Sequence, residues 1–139
     1  MKILVLGSKG QLGQCLYDQL SHTDHEVLYT SRVQIDITDF EATKNKFLDV
    51  APDLVINATA YTAVDKAEEE HQAADLINHL AVANIASICN QLACWLIHVS
   101  TDYVFDGNSE LPYTENDQTN PQGVYGDAKL KGEVAIQAS

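Results

Sequence analysis

The chain opens with a short apolar run followed at once by three evenly spaced glycines, and this order limits the fold more than any other feature. Ile3–Leu6 is uniformly apolar, which is typical of a strand buried on both faces in a parallel sheet. Gly7, Gly10 and Gly13 come next. The stretch beyond them places these apolar residues on one predicted helix face: Leu12, Cys15, Leu16 and Leu20. A strand, a glycine turn and a helix in this order indicate the first βα unit of a dinucleotide-binding sheet.

Each glycine has a physical role in such a turn. Gly7 allows the tight turn itself, Gly10 lets the backbone approach a pyrophosphate, and Gly13 lets the helix pack closely on the strand. We expect the exposed amides at the helix N-terminus, including those of Gln11 and Leu12, to bind the phosphates.

Strand and helix patterns alternate along the remaining chain. The further predicted strands are Glu26–Tyr29, Asp53–Asn57 and Trp95–Ser100. Between them, Thr38–Glu41 has the form of a capping box for a helix running towards Val50. A long helical region has a predicted apolar face made of Leu76, Ile77, Leu80, Ile85, Ile88 and Leu92. Repeated βα units predict an α/β fold with a doubly wound, Rossmann-type parallel sheet, here as one domain over residues 1–139.

Composition excludes several classes of function. A formal net charge of −12 leaves no basic patch for nucleic acid, so an anionic cofactor must be held by local features: the helix N-terminus, Lys9 and Arg32. The three cysteines are too few and wrongly spaced for a disulfide framework or a zinc knuckle. Cys15 and Cys89 are predicted to be small core residues. No apolar stretch is long enough to cross a bilayer, so a soluble cytoplasmic protein is expected.

The histidines and the acidic run are expected to be structural. His22 and His25 lie in a polar loop without a matching ligand pair, and we expect no metal site. His98 lies inside an apolar strand and is interpreted as a core histidine that has its hydrogen bonds made. The run Glu68–His71 is interpreted as a solvated helix start that complements the helix dipole.

A hydroxyl, a phenol and an ammonium near the C-terminal end of the chain form a candidate catalytic set. Tyr125 and Lys129 are four residues apart on a predicted helix, so their side chains share one face. A nearby ammonium favours the phenolate and helps a tyrosine to act as a general acid. With the hydroxyl of Thr101, these groups are the parts needed to protonate a carbonyl oxygen that accepts hydride.

Three segments resemble one enzyme family. They are Asn57-Ala-Thr-Ala-Tyr-Thr-Ala-Val-Asp-Lys-Ala-Glu68, Ser100-Thr-Asp-Tyr-Val-Phe-Asp-Gly107 and Val124-Tyr-Gly-Asp-Ala-Lys-Leu-Lys-Gly-Glu133. Together they resemble the dTDP-4-dehydrorhamnose reductase family of the extended short-chain dehydrogenases, whose glycine spacing Gly-x-x-Gly-x-x-Gly is also present. The resemblance covers essentially the whole chain and implies reduction of the 4-keto group of dTDP-4-dehydro-L-rhamnose for cell-surface polysaccharide, including lipopolysaccharide, synthesis.

The resemblance also implies roles for particular residues. Thr101 would hydrogen-bond the substrate carbonyl, and Tyr125 would donate the proton to its oxygen. Lys129 would hold the nicotinamide ribose and favour the ionised form of Tyr125. Asp102 and Tyr103 are included in the expected substrate site. Asp102 is expected to have a turn or packing role, or to order the loop over the nicotinamide, and Tyr103 is expected near the sugar or in the core.

The predicted cofactor site extends over two further strand ends. Asn57 and Ala58 resemble the backbone that lines the adenosine half of the cofactor. The loop expected to pass the pyrophosphate and nicotinamide consists of Thr59, Ala60, Tyr61 and Thr62. After the second strand, no carboxylate stands where a ribose 2′-hydroxyl would need one. Ser31 and Arg32 could instead meet a 2′-phosphate, so NADPH is the expected cofactor and NADH the alternative. Asp36 and Ile37 are expected near the adenine, or Asp36 caps the turn before Thr38.

The family resemblance implies a larger protein than this chain. Relatives would continue past Ser139 into a smaller C-terminal domain that grips the nucleotide-sugar, so this chain would lack most of the substrate site and could be inactive alone. Surfaces left uncovered would favour a homo-oligomer. Two other functions stay open: a nucleotide-sugar epimerase or dehydratase of the same superfamily, and a non-catalytic nucleotide-binding or regulatory module.

Overall fold

One four-stranded sheet forms the centre of the computed structural model, which describes all residues 1–139. Its strands are β1 (Lys2–Leu6), β2 (Glu26–Thr30), β3 (Leu54–Asn57) and β4 (Trp95–His98). Every neighbouring pair is parallel, and the order across the sheet is β2-β1-β3-β4. The predicted parallel sheet of an α/β, Rossmann-type fold is therefore confirmed.

Six α-helices follow the alternation expected from the sequence. They are α1 (Gln11–Leu20), α2 (Phe40–Val50), α3 (Val64–Ala67), α4 (His71–Asp75), α5 (Ala81–Leu92) and α6 (Val124–Gln137). A π turn (Leu76–Leu80) joins α4 to α5, and a 3₁₀ turn (Asp102–Val104) follows β4. No helix combines the length and the apolar character that crossing a bilayer would require.

The chain separates into two compact units. Unit 1 contains residues 1–59, 84–99 and 139, and therefore the whole sheet with α1, α2 and most of α5. Unit 2 contains residues 60–83 and 100–138, and therefore α3, α4, the π turn, the 3₁₀ turn and α6.

The order of the strands places a topological switch point between β1 and β3. From β1 the chain moves outward to β2 on one side, and then crosses to β3 on the other side. Ligands of open parallel sheets bind outside the carboxyl ends of the strands at such a point. Leu6 pairs with Asn57 at these ends, and the Ala58 amide donates to the carbonyl oxygen of Leu6 at 3.0 Å.

Both faces of the central strands β1 and β3 carry buried side chains, which alternate between the faces along each strand. Ile3, Val5 and Ile56 form one cluster with the α1 residues Leu16 and Leu20. The opposite face carries fully buried Leu4, Leu6 and Val55. Helices α2 and α5 supply further buried apolar side chains: Phe47, Val50, Ile85, Ile88 and Cys89.

Strand β4 lies at the edge of the sheet, and its outer residues are poorly covered. Trp95 is 76% exposed, Ile97 is 50% exposed and the following Val99 is 49% exposed. An uncovered apolar edge of this kind is a place where further chain or another copy can pack.

Unit 2 has its own small-residue core around α6. Ala67, Ala74 and Ala128 are buried together, and Val124 and Tyr125 pack against them. A Cβ at Gly132 would be closer than van der Waals contact to the carbonyl oxygen of Asn78 in the π turn. Small residues are therefore what lets α6 approach its neighbours closely.

Three local predictions are wrong for identifiable reasons. Asp39, not Thr38, caps α2, because the Asp39 carboxylate accepts from the Ala42 amide at 3.0 Å. Cys15 is exposed although its spacing matched the apolar face of α1, whereas Cys89 is buried as predicted. Leu80 is 41% exposed because the π turn adds a residue to one helical turn and rotates the expected face.

The buried and exposed sides of α2 provide a matched test of the fold. Phe47 is fully buried and the adjacent Leu48 is 52% exposed. Phe47→Ala should lower the free energy of unfolding by about 3–5 kcal/mol, because a large buried ring leaves a cavity. Leu48→Ala should change it by only about 0.5 kcal/mol. Urea unfolding followed by circular dichroism measures both, and equal losses would contradict this assignment of the core.

Candidate functional site

The glycine turn after β1 is held by the end of β2. The amides of Gly7 and Ser8 both donate to the Thr30 carbonyl oxygen at 2.9 Å, and the Thr30 hydroxyl donates to the carbonyl oxygen of Val5 at 2.9 Å. Gly7 has φ +83°, a left-handed conformation that glycine adopts without strain. The backbone thus turns sharply after β1, at the topological switch point of the sheet.

The amino end of α1 faces outward with its amides uncapped by any side chain. Gly10 is the N-cap residue, and the first intrahelical bond runs from the Gln14 amide to the Gly10 carbonyl oxygen at 3.0 Å. The amides of Gln11, Leu12 and Gly13 precede that bond, and no acidic side chain lies in the first turn. Uncapped amides and the positive end of the helix dipole suit a phosphate group.

Close packing explains the third glycine. A Cβ at Gly13 would lie 2.6 Å from the Ser8 Cα, so a side chain at this position would push the helix away from the turn. A Cβ at Gly10 would meet only the Gly7 carbonyl oxygen, at 3.4 Å. The structure therefore agrees with a packing role for Gly13 and leaves open space beside Gly10.

The segment after β2 is organised by its own side chains. The Ser31 hydroxyl donates to Gln34 Oε1 at 2.9 Å, and Arg32 Nε pairs with Asp36 Oδ2 at 3.2 Å. Asp36 Oδ1 accepts from the amide and the hydroxyl of Thr38, which together with Arg32 hold the pKa of the Asp36 carboxyl below its ordinary value. The second of the two roles considered for Asp36, that of a turn cap, is thus confirmed.

Exposure differs between the other residues expected here. Arg32 is exposed, with 78% of its side chain accessible, and its guanidinium is therefore accessible to a ligand. Ile37 is buried at 6% exposure, so its side chain belongs to the core.

Asn57 organises the end of β3. Its Oδ1 accepts from the Thr59 amide at 3.1 Å and from the Thr59 hydroxyl at 2.5 Å, which identifies the opposite side of the group as the amide nitrogen. That nitrogen lies 3.1 Å from His98 Nδ1, so Nδ1 accepts and the ring proton is on Nε2. His98 is therefore hydrogen-bonded as predicted, but it is half-buried and does not belong to the core. A Cβ at Gly7 would lie 2.9 Å from both the Ala58 oxygen and Thr59 Cγ2, so these three predicted cofactor residues lie together.

In unit 2, Asn78 holds the backbone of the predicted cofactor loop at Tyr61. The Tyr61 amide donates to Asn78 Oδ1 at 2.9 Å, and Asn78 Nδ2 donates to the Tyr61 carbonyl oxygen at 3.0 Å. The flanking residues Ala60 and Thr62 are exposed. The Tyr61 hydroxyl donates to Glu70 at 2.6 Å, and this bond to a carboxylate raises the pKa of Tyr61 to about 12. Tyr61 is therefore poorly suited to donate a proton to a substrate.

Thr101 starts the 3₁₀ turn and shapes the residues after it. Its hydroxyl accepts from the Tyr103 amide at 3.2 Å and donates to Asp102 Oδ1 at 3.2 Å. Thr101 is half-buried, and Asp102 and Tyr103 are exposed. Tyr103 contacts the ring of Tyr125 edge-on, with centroids 5.8 Å apart and ring planes at 89°. The core role considered for Tyr103 is therefore wrong, because this side chain lies on the surface beside Tyr125.

Tyr125 and Lys129 lie one helical turn apart near the amino end of α6. Tyr125 is half-buried, whereas Lys129 is only 1% exposed. Burial lowers the pKa of the Lys129 ammonium below its ordinary value, and the negative charge of Glu133 partly offsets that effect. A buried ammonium one turn from a phenol is suited to stabilise a phenolate as it forms.

Several predicted substrate residues line one open cavity of about 490 Å³ in unit 2. Asp102, Tyr103 and Tyr125 contribute to its wall, together with Glu68 and the stacked pair Phe105 and Tyr113. The volume lies in the range of small-molecule sites. Acidic and aromatic groups around a tyrosine hydroxyl can accept hydrogen bonds from sugar hydroxyls and cover an apolar ring face.

The role proposed for the acidic run before α4 is wrong in part. Glu68 Oε1 accepts from the Val124 amide at 2.8 Å, and so caps the amino end of α6 from a position distant in sequence. Glu70 binds Tyr61 as described above. Sequence reasoning missed Glu68 and Asn78, because a cap between distant segments has no local spacing signal. For Asn78 the available signal was a polar residue inside an otherwise apolar helical stretch.

The structure contains no group of three or more histidine, cysteine, aspartate or glutamate side chains that could hold a metal ion.

Substitutions at Gly10 and Gly13 should distinguish a glycine needed for ligand contact from one needed for packing. Gly13→Ala should lower the free energy of unfolding by about 1–3 kcal/mol, because its Cβ clashes with backbone. Gly10→Ala should leave stability within about 1 kcal/mol, since its φ of −75° suits alanine. If the backbone at Gly10 approaches a pyrophosphate, the same change should weaken NADPH binding about tenfold or more. Calorimetric titration with NADPH measures the affinity, and an unchanged affinity in Gly10→Ala would contradict this placement.

Glu68 is expected to stabilise α6 through its cap. Glu68→Ala should lower the free energy of unfolding by about 0.5–2 kcal/mol, because the Val124 amide loses its acceptor. The exposed neighbour Glu69 serves as the control, and Glu69→Ala should have little effect. Denaturant unfolding of the two variants decides the point, and equal stability would rule out a capping role.

The whole chain is similar in sequence to one protein family. The family model described as "RmlD substrate binding domain" matches residues 1–139. The dTDP-4-dehydrorhamnose reductase of Escherichia coli K12 is 41% identical over 140 aligned positions, which cover 99% of this chain and 47% of that protein.

Solved structures show the same likeness. A dTDP-4-dehydrorhamnose reductase from Clostridium acetobutylicum matches with a TM-score of 0.97 and 42% identity, over 99% of this chain and 49% of that chain. The enzyme from Bacillus anthracis, solved in complex with NADP, matches with a TM-score of 0.95 and 30% identity, over 99% of this chain and 49% of that chain. The chain thus spans about half the length of the relatives that it matches. Because the family model covers every residue, the chain belongs to the RmlD substrate binding domain family, with dTDP-4-dehydrorhamnose reductases among its relatives.

Proposed function

We propose that this chain takes part in the reduction of the 4-keto group of dTDP-4-dehydro-L-rhamnose to dTDP-L-rhamnose. The observation that carries the proposal is the placement of Tyr125 on the wall of the unit 2 cavity, one helical turn before an ammonium that is 1% exposed. This arrangement suits proton donation to a carbonyl oxygen. The relatives named dTDP-4-dehydrorhamnose reductase supply the identity of the sugar.

The chemistry divides between the cofactor and the side chains. A reduced nicotinamide, when bound, supplies hydride to C4 of the hexose. Tyr125 donates its hydroxyl proton to the oxygen at C4, so that the ketone becomes an alcohol and Tyr125 becomes a phenolate. Lys129 stabilises that phenolate because its positive charge lies in surroundings of low polarity. The Thr101 hydroxyl, whose one proton goes to Asp102 in the chain without ligands, would turn from Asp102 to provide a second hydrogen bond to the oxygen as negative charge develops there.

NADPH is the proposed cofactor. The uncapped amides at the amino end of α1 suit a pyrophosphate, and the exposed guanidinium of Arg32 suits a 2′-phosphate. Ser31 and Arg32 stand where an NAD-specific site would need a carboxylate, and Asp36 is already engaged as a turn cap. The Bacillus anthracis relative was solved with NADP, which supports the same choice.

The test measures nucleotide binding and substrate turnover for the unmodified chain and for the variant Tyr125→Phe. A thermal melt of the chain should shift upward with increasing NADPH, and less with NADH at the same concentration, because a ligand of the folded state raises the midpoint. Tyr125→Phe should keep the NADPH shift, since it removes only the hydroxyl. Turnover of the 4-keto nucleotide-sugar should fall by about 10²–10⁴-fold in this variant.

The two readouts separate the possible outcomes. Equal shifts with NADH and NADPH would contradict the cofactor choice. A shift without turnover in the unmodified chain would favour a nucleotide-binding module over a reductase. Oxidised cofactor that stays bound through purification would favour an epimerase.

We also propose that the chain self-associates through apolar surface at the edge of the sheet. Trp95, Ile97 and Val99 are each about half exposed or more along and just after β4. Packing against a second copy would bury these exposed apolar side chains. Sedimentation equilibrium should show a dimer or larger species, and Trp95→Lys should shift it towards monomer. A concentration-independent monomer for the unmodified chain would contradict this proposal.

A further inference from the structure

Glu133 lies one helical turn beyond Lys129 on α6, and its carboxylate meets two parts of the candidate catalytic set. The Ser100 hydroxyl donates a hydrogen bond to Glu133 Oε1. The charge of Glu133 also acts on the ammonium of Lys129, as the spacing of four residues along a helix allows. One half-buried carboxylate therefore contacts one partner and influences the other.

Burial makes this carboxylate important for the charge of Lys129. An ammonium that is 1% exposed loses most of its hydration, and that loss disfavours the charged form. A nearby carboxylate opposes the effect through Coulomb attraction, which is strong where water is excluded. Without that carboxylate, Lys129 would deprotonate more readily and would stabilise the Tyr125 phenolate less well.

The bond from Ser100 has a different consequence. Ser100 directly precedes Thr101 in the chain but is 33 residues from Glu133. The hydrogen bond thus fastens the segment that carries Thr101 to the helix that carries Tyr125 and Lys129. It is one of the contacts that join these two segments, beside the ring contact between Tyr103 and Tyr125.

Other charged groups on or near α6 are engaged with different partners. Lys131 pairs with Asp127 at 2.7 Å and lies 3.9 Å from Asp75 on α4. His79 in the π turn binds the same Asp75 at 2.9 Å. Asp102 in the 3₁₀ turn accepts from Thr101, and Glu68 after α3 caps α6. Glu133 is the charged group whose field acts on Lys129.

We propose that Glu133 is a positioning residue, whose carboxylate keeps Lys129 charged and fastens Ser100, so that Lys129 and the segment before Thr101 share one anchor. The role in reduction rests on the proposed function. The effect on Lys129 does not, because it concerns the chain without ligands.

The direct test follows the titration of the Lys129 side chain. Carbon-13 NMR of the lysine Cε signals gives the midpoint, and Lys129→Arg identifies the signal by removing it. Glu133→Gln keeps an acceptor for Ser100 but removes the charge, and should lower the Lys129 midpoint by about one pH unit or more. Ser100→Ala keeps the charge but frees the carboxylate, and should lower the midpoint by less.

A matched control lies on the same helix. Asp127→Asn removes the carboxylate that pairs with Lys131 and should leave the Lys129 midpoint unchanged. The double variant Ser100→Ala with Glu133→Gln should match Glu133→Gln alone, because the charge through which Ser100 affects the Lys129 midpoint is already removed. An unchanged midpoint in Glu133→Gln would overturn the inference. If Glu133→Gln does not fold, an unchanged midpoint in Ser100→Ala overturns the shared anchor.

Turnover provides the second readout. In a chain that reduces the 4-keto sugar, Glu133→Gln should lower kcat by about tenfold or more while KM for the sugar stays near its original value, because no substrate contact is removed. No turnover in the unmodified chain would contradict the proposed function and leave the titration result standing. A lowered Lys129 midpoint with unchanged kcat would overturn the positioning role alone.

Discussion

Parallel pairing between β1 and β3 is the constraint on which the arrangement of unit 1 depends. Because the chain crosses from β2 to the far side of β1, the carboxyl ends of β1 and β3 lie together at the switch point. The backbone at Gly7 and that at Ala58 then approach so closely that no side chain fits at position 7. Strand order by itself therefore requires a glycine at this turn.

Helix α6 has the corresponding place in unit 2, and small residues determine how it packs. A Cβ at Gly126 would lie 2.9 Å from the carbonyl carbon of Tyr103, and Gly132 abuts the π turn at Asn78. Lys129 lies between these two glycines along α6 and is only 1% exposed. A charge acts more strongly in such surroundings of low polarity than it does in water.

Features that depend on residues close together in the sequence could be predicted, and features that depend on residues far apart in the sequence could not. The sheet, the glycine turn and the pair formed by Tyr125 and Lys129 were predictable, because strand runs and helical spacing are local patterns. The cap by Glu68 and the anchor at Glu133 were not predicted, since each joins segments distant in sequence. The apolar face of the long helix was partly wrong because a π turn breaks the period of 3.6 residues. The spacing between Lys129 and Glu133 did obey the rule applied to Tyr125 and Lys129, and could have been recognised.

The acidic composition of the chain is compatible with an anionic cofactor once the individual acids are located. Several of the twenty acidic residues accept bonds from specific backbone or hydroxyl donors: Asp36, Asp39, Glu68, Glu70, Asp106 and Glu133. None lies in the first turn of α1, where a phosphate would bind. Exposed charges more than about 10 Å away are largely screened at physiological salt. The net charge of −12 is therefore compatible with the proposal that local amides bind a phosphate at the glycine turn.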